Sequence, residues 1–164
     1  MAFQPSTGHW HFKTTTGKCP GDGTCVQQWG ASGDVPLVAR FWGATAPAAI
    51  AVFRPSSGNW YLLSTTGTCP GAFKSLGTDA SRVTHCFRQF GSGSGLDLPV
   101  INDWDGDGRA DIGVWRIAEG NWFILPSSRR QTNHFTYAFA MTDGWPVYGR
   151  QWGARAAVPI SGAR

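Results

Sequence analysis

Three observations place the chain in the all-β class. Charged residues make up only 15% of the 164, against 22 Gly, 10 Pro and 9 Trp, a mix that suits short strands and tight turns better than helices. One motif, an aromatic and a polar residue followed by turn residues, Gly, any residue and Trp, occurs three times: FQPSTGHW (3–10), FRPSSGNW (53–60) and WRIAEGNW (115–122). A second follows it each time, at Gln28-Trp29-Gly30, Gln89-Phe90-Gly91 and Gln151-Trp152-Gly153, with Pro36, Pro99 and Pro159 shortly behind.

The first motif predicts a hairpin: one strand ends on the aromatic, Gly supplies the turn, and the next strand begins at Trp. The Gln-Trp/Phe-Gly stretch predicts a further strand. The segments "RFWGATAPAAIAVF" (40–53) and "NDWDGDGRADIGVW" (102–115) then match, Trp42 against Trp104 and Ile50 against Ile112. One repeat domain over 1–164 follows, with units of about 50–62 residues at 1–52, 53–114 and 115–164, each of four short strands. Such a unit cannot bury both faces alone, so neighbouring units must stack. Eight of the nine Trp fall at repeated positions, which gives them a packing role; Trp145 is the exception. In the third unit "NHFTYAFAM" alternates Phe135, Tyr137, Phe139 and Met141 with smaller or polar residues, as in a half-buried strand.

The four cysteines lie in corresponding loops of the first two units. Of the three possible pairings, Cys19–Cys25 and Cys69–Cys86 each close one hairpin loop and respect the repeat. A zinc site would need closer Cys pairs or added His, and the spacings here are five and sixteen intervening residues. Two disulfides imply an oxidising compartment, so the protein is expected to be secreted or periplasmic. The first residues, MAFQPSTGHW, lack the charged end and apolar core of a secretory signal, so export would use a signal outside these residues. No apolar run reaches the roughly 18 residues of a membrane span. The net charge of +4 comes from eleven Arg and three Lys that are scattered, whereas nucleic-acid binding shows as a clustered basic face.

The densest local signal is "DWDGDGRAD" (103–111), four of the chain's ten acidic residues within nine positions. Asp103, Asp105 and Asp107 take positions 1, 3 and 5 of a calcium loop, and Gly108 sits where a sharp turn needs positive φ. The Arg109 carbonyl would point inward and Asp111 would close the site. Hard carboxylate oxygens suit Ca²⁺, and without a cation their mutual repulsion would destabilise the turn. An EF-hand is disfavoured, because its twelfth position is Val114 and "IGVW" reads as a strand. In the first unit the equivalent positions are Phe41, Gly43, Thr45 and Ala49, so that copy should bind no calcium.

Asp-x-Asp-Gly-Asp-Gly-x-x-Asp running into a strand resembles the calcium loop of FG-GAP/VCBS-type repeats of secreted bacterial proteins, akin to integrin propeller blades. The segments "AVFRPSSGNWYLL", "QWGASGDVPLV" and "DWDGDGRADIGVW" look like the successive parts of one such repeat, and together they cover nearly the whole chain. The resemblance implies β-propeller blades. Three blades fall below the four to eight of ordinary propellers, so either the chain belongs to a larger propeller or copies associate into one homo-oligomeric ring. A threefold β-trefoil-like barrel is the alternative architecture.

For function, the expectation is a calcium-stabilised binding module, lectin-like, whose ligand is a carbohydrate or cell-surface glycan. The binding candidates are residues the repeat leaves unexplained, Trp145 and Tyr148, with Asp143 and Arg150 as polar partners. A structural or adhesive repeat that holds a protein partner is the second reading. A secreted hydrolase is the third and weakest: Asp34 and Asp97 read as turn chemistry rather than a glycosidase pair, and no Gly-x-Ser-x-Gly elbow occurs. No catalytic residue is assigned, because a bound cation would keep the loop aspartates ionised and unfit for acid–base work.

Overall fold

The computed structural model of the chain describes residues 1–13, 24–128, 138–140 and 146–151, with residue 24 and the last two stretches described through their backbone only. Thirteen strands occur and, among the described residues, no helix. They are β1 (Ala2–Gln4), β2 (His9–Lys13), β3 (Thr24–Gln28), β4 (Val35–Ala39), β5 (Ala49–Arg54), β6 (Asn59–Ser64), β7 (Lys74–Thr78), β8 (Thr84–Gln89), β9 (Asp97–Asn102), β10 (Asp111–Arg116), β11 (Asn121–Leu125), β12 (Ala138–Ala140) and β13 (Pro146–Gln151). They form three antiparallel sheets. The first has the order β1-β2-β3, the second β4-β5-β6-β8-β7 and the third β9-β10-β11-β13-β12.

The second and third sheets share one topology: a three-stranded meander, then a returning strand slipped between the meander and an outer strand. The units read from aromatic to aromatic are out of phase with the second and third sheets, because there the repeated hairpin lies in the middle. Each sheet therefore starts near its repeated Pro, at Val35 and Asp97, and ends on its Gln-Trp/Phe-Gly strand or the strand outside it. The expected four strands become five, since β7 and β12 add an outer edge. Phe139 lies in β12 as the alternation suggested, while Phe135, Tyr137 and Met141 lie outside the described residues.

The repeated hairpin has one geometry in all three sheets. Phe3 pairs with Trp10, Phe53 with Trp60 and Trp115 with Trp122. Their ring centroids are 5.0, 5.1 and 5.1 Å apart in tilted contact, a spacing at which the edge of one ring meets the face of the other. In the first two sheets the Trp indole N–H then crosses to the strand beyond. Trp10 Nε1 donates to the Trp29 carbonyl at 2.8 Å and Trp60 Nε1 to the Phe90 carbonyl at 2.9 Å. Gly8 and Gly58 close the turns with φ of +73° and +67°. Their carbonyls accept the N–H of Trp29 and Phe90. A Cβ on Gly58 would stand 2.5 Å from the backbone of Gly91, so handedness and close approach both demand glycine there.

Alternation along each strand gives every sheet two faces. From the second sheet, Ala51, Phe53, Trp60, Leu62 and Cys86 pack against Ile112, Val114 and Leu125 of the third in one buried cluster. The first sheet meets the opposite face of the second: Gly30 lies against Val52, and the Trp29 and His85 rings meet edge-on at 5.0 Å. The sheets thus stack in chain order, and the leading strands β4 and β9 of neighbouring sheets are in contact. Cys69 and Cys86 form a disulfide that clasps the loop between β6 and β8, as the repeat predicts. Cys19 lies outside the described residues; none of the described cysteines is free.

Two checks follow. Gly58→Ala should destabilise the protein in urea unfolding by clearly more than the about 1–2 kcal/mol of left-handed strain alone, because the facing backbone cannot yield. Gly33→Ala has φ +85° with nothing within 4 Å of its Cβ position, and should cost no more than that strain. Replacing Cys69 and Cys86 by Ser should remove about 3 kcal/mol, the chain-entropy value for a loop of this size, read as a lower urea midpoint.

Candidate metal centre

The aspartate loop joins the first two strands of the third sheet, β9 and β10, and its backbone is organised by its own carboxylates. Asp103 Oδ1 accepts the N–H of Gly106 at 2.8 Å and of Asp107 at 3.1 Å, and Oδ2 accepts that of Gly108 at 2.9 Å. Asp105 Oδ1 accepts the Asp107 N–H, and Asp107 Oδ1 accepts the Arg109 N–H. Gly106 and Gly108 take φ of +75° and +83°, which lets the chain fold back over Asp103.

Asp111 is the one member with no exposure at all. It opens β10 and points back under the loop, where Oδ2 accepts the Trp104 N–H at 2.8 Å and Oδ1 the Ser127 N–H at 2.6 Å. Burial pushes its carboxyl pKa up to about 7; the two backbone N–H groups oppose that rise, and the nearby charges of Asp105 and Asp107 add to it.

Carboxylate oxygens of Asp103, Asp105 and Asp111 come within 4.8 Å of one another. That separation lets one ion touch all three at the 2.3–2.6 Å calcium distance. A dehydrated carboxylate beside two others is electrostatically incomplete, and a hard divalent cation supplies the missing charge. These three residues could therefore hold a metal ion. Asp107 stands outside the trio: its carboxylate also accepts the Ser127 hydroxyl at 3.2 Å. Arg109 contributes an N–H bond to Asp107, and its side chain is exposed.

Two supporting residues have no signal in the aspartate motif. Ser127 and Ser128 follow β11, and Ser128 Oγ donates to Asp105 Oδ2 at 2.7 Å. Ser127 in turn lies against Gly71 of the disulfide-clasped loop, where a Cβ would collide with the Ser127 carbonyl. The Ala110 N–H donates to the Arg40 carbonyl in the equivalent loop of the second sheet, at 3.0 Å. The candidate centre thus sits at the junction of the second and third sheets.

The equivalent loop of the second sheet has no carboxylates, and Phe41 fills the place of Asp103, buried in the core. Arg40 stands at the position of Asn102 and donates through Nη1 to the carbonyls of Ala44 and Ala46, at 3.1 and 2.7 Å. A guanidinium holds this loop.

Asp34 and Asp97, read from the sequence as turn residues, do more than shape turns. Each caps its own turn, accepting the N–H of Ala31 or Ser92. Each also receives the guanidinium of the next strand: Arg54 Nε at 2.8 Å on Asp34 and Arg116 Nε at 3.0 Å on Asp97. Arg54 and Arg116 lie over the rings of Tyr61 and Phe123. The signal was present as an Asp two residues before the repeated Pro and an Arg just after the repeated aromatic.

Of the residues expected to bind ligand, Trp145 and Asp143 lie outside the described residues. Tyr148 and Arg150 are on β13, in register with Ile124 and Trp122. In the second sheet those two register positions hold Cys86 and Arg88. Arg150 therefore shares a repeat position, and Tyr148 occupies the place of a disulfide cysteine. No protein-family model, curated protein or solved structure matches this chain.

The titration of Asp111 gives a pH test on chelator-treated protein. Its folded pKa lies above the unfolded value near 3.9, so between about pH 4 and 7 the folded state holds the proton more tightly. Through this group, stability should fall as pH rises across that window, by at most about 1.4 kcal/mol per unit. Saturating calcium should flatten that slope in urea unfolding series run at stepped pH.

Proposed function

We propose that the protein is a calcium-stabilised, extracellular binding module built of propeller-type blades, and that its ligand is a carbohydrate. The observation that carries the reading is the trio Asp103, Asp105 and Asp111, converging at the junction of two sheets around a fully buried carboxylate. An ion there would tie β9, β10 and the Ser127–Ser128 segment together, a scaffold role rather than a chemical one. The shared topology of the second and third sheets, their stacking in chain order and the contact of β4 with β9 support blades arranged about an axis. The Cys69–Cys86 disulfide fits an oxidising compartment.

Carbohydrate is favoured because aromatic residues outside the repeat offer flat apolar faces to sugar rings. Trp145 remains the leading candidate, with Asp143 and Tyr148 beside it in sequence. Arg150 is the weakest of the four, since its repeat position in the second sheet holds Arg88, a buried residue whose guanidinium donates to the Ala72 carbonyl. Blades from several copies would multiply weak sites into avidity. A protein-binding adhesive repeat is the second reading, supported by the same scaffold.

Calcium added to chelator-treated protein should raise the melting temperature by several degrees, as expected for a ligand that binds only the folded state. Asp111→Asn should lose that rise. Screened against a glycan array with calcium present, the wild-type chain should retain at least one sugar class, and Trp145→Ala should lose it while keeping the thermal response to calcium. A blank array with an intact calcium response would leave the scaffold standing and turn the search to a protein partner.

A further inference from the structure

The first sheet departs from the repeat on one face, and the departure has the chemistry of a metal ligand set. In the second sheet the face turned to the preceding sheet carries Val52, Asn59, Tyr61 and Leu63; in the third it carries Val114, Asn121, Phe123 and Leu125. The strand registers place Ala2, His9, His11 and Lys13 at the corresponding positions of the first sheet. Where the other sheets carry an asparagine, an aromatic and a buried leucine, this one carries two histidines and a lysine. Among the described residues no other sheet covers this face, where Gln4, Lys13 and Gln28 are exposed and Val26 is 56% exposed.

His9 and His11 alternate on β2, so both project from the same side, with Cα atoms about 6.7 Å apart. The strand beneath them is held on both flanks, by β1 and by β3. That fixes the spacing of their two Cα atoms. Ala2 and Val26 flank His11, while Gln4 and Gln28 flank His9. The small Ala2 leaves room beside one imidazole, and the glutamines bring amide oxygens beside the other. Gln28 Nε2 is engaged with the Gly30 carbonyl. Neither imidazole makes a hydrogen bond or ion pair among the described residues, although both rings are half-buried.

We propose that His9 and His11 form a second metal site, a two-imidazole clamp for a divalent transition ion of the copper–zinc class. Two imidazoles from one side of a strand can take neighbouring corners of a tetragonal copper site, and imidazole is a preferred ligand for these ions. The remaining positions stay open to water or to the amide oxygens of Gln4 and Gln28. Soft-to-borderline nitrogen ligands do not compete for calcium, so this site is chemically independent of the aspartate loop and does not rest on it.

The probe is Cu(II), titrated into full-length protein already saturated with calcium. Isothermal titration should give one site, and proton NMR should show the ring signals of two of the four histidines broadened at substoichiometric copper. His9→Gln and His11→Gln should each weaken binding at least tenfold, with the calcium-dependent melting temperature unchanged. Broadening confined to His85 or His134 in the wild type, or a titration that the double variant leaves unaltered, would overturn the assignment.

Discussion

A fully buried carboxylate is the constraint around which the rest of the aspartate loop is arranged. Asp111 lies at the root of β10, and its two oxygens take the N–H groups of Trp104 and Ser127, which belong to different segments. Desolvating a charged carboxylate costs several kcal/mol, while each N–H bond to a charged acceptor returns about 1.5–3 kcal/mol. The two sides nearly cancel. Protonation or a cation therefore decides whether the arrangement is firm: the neighbouring charges of Asp105 and Asp107 favour the proton, and a cation reaching Asp103, Asp105 and Asp111 together would take its place. The hydroxyls of Ser127 and Ser128 donate to Asp107 and Asp105 and satisfy further oxygens of the cluster.

Much of the scaffold was legible because the repeat is written in residues with stringent requirements. An aromatic, a glycine and a tryptophan at fixed spacing leave few structures other than a hairpin, and Phe3–Trp10, Phe53–Trp60 and Trp115–Trp122 adopt one geometry. The disulfide Cys69–Cys86 was readable for a similar reason, since only that pairing respects the repeat. The phase of the sheets was harder to see. Aromatics mark the hairpin at the centre of the second and third sheets, whereas those sheets begin at strands such as Val35–Ala39, marked only by a Pro and a preceding Asp. The outer strand β7, exposed along its whole length, owes nothing to hydrophobic periodicity and left no pattern to find.

The loop was legible in its carboxylates and illegible in its support. Asp103, Asp105 and Asp111 meet, as their spacing implied, because the glycines let the chain curl over them. Ser127 and Ser128 come from sixteen or more residues away in the chain, and serine at a strand end carries no signature of a distant carboxylate. Asp34 and Asp97 fall between these cases. Short-range logic correctly gave them a turn, but their ion pairs with Arg54 and Arg116 depend on strand pairing, which places a residue some twenty positions later directly beside them.

The two equivalent loops show why metal dependence should be concentrated at one junction. Both must turn sharply between the leading strands of a sheet, and both leave backbone carbonyls or carboxylates crowded with like partial charge. In the third sheet three aspartates converge and could hold a cation. In the second, Phe41 replaces the first aspartate with a buried ring, and Arg40 brings a covalently attached cation to the carbonyls of Ala44 and Ala46. A guanidinium is permanently charged and cannot diffuse away, so this loop carries its own cation. Arg40 also lends its carbonyl to Ala110, next to Asp111. The loop held by Arg40 thereby abuts the aspartate loop, so an ion bound under the proposed function would act on the third sheet against a neighbour braced by its own side chain.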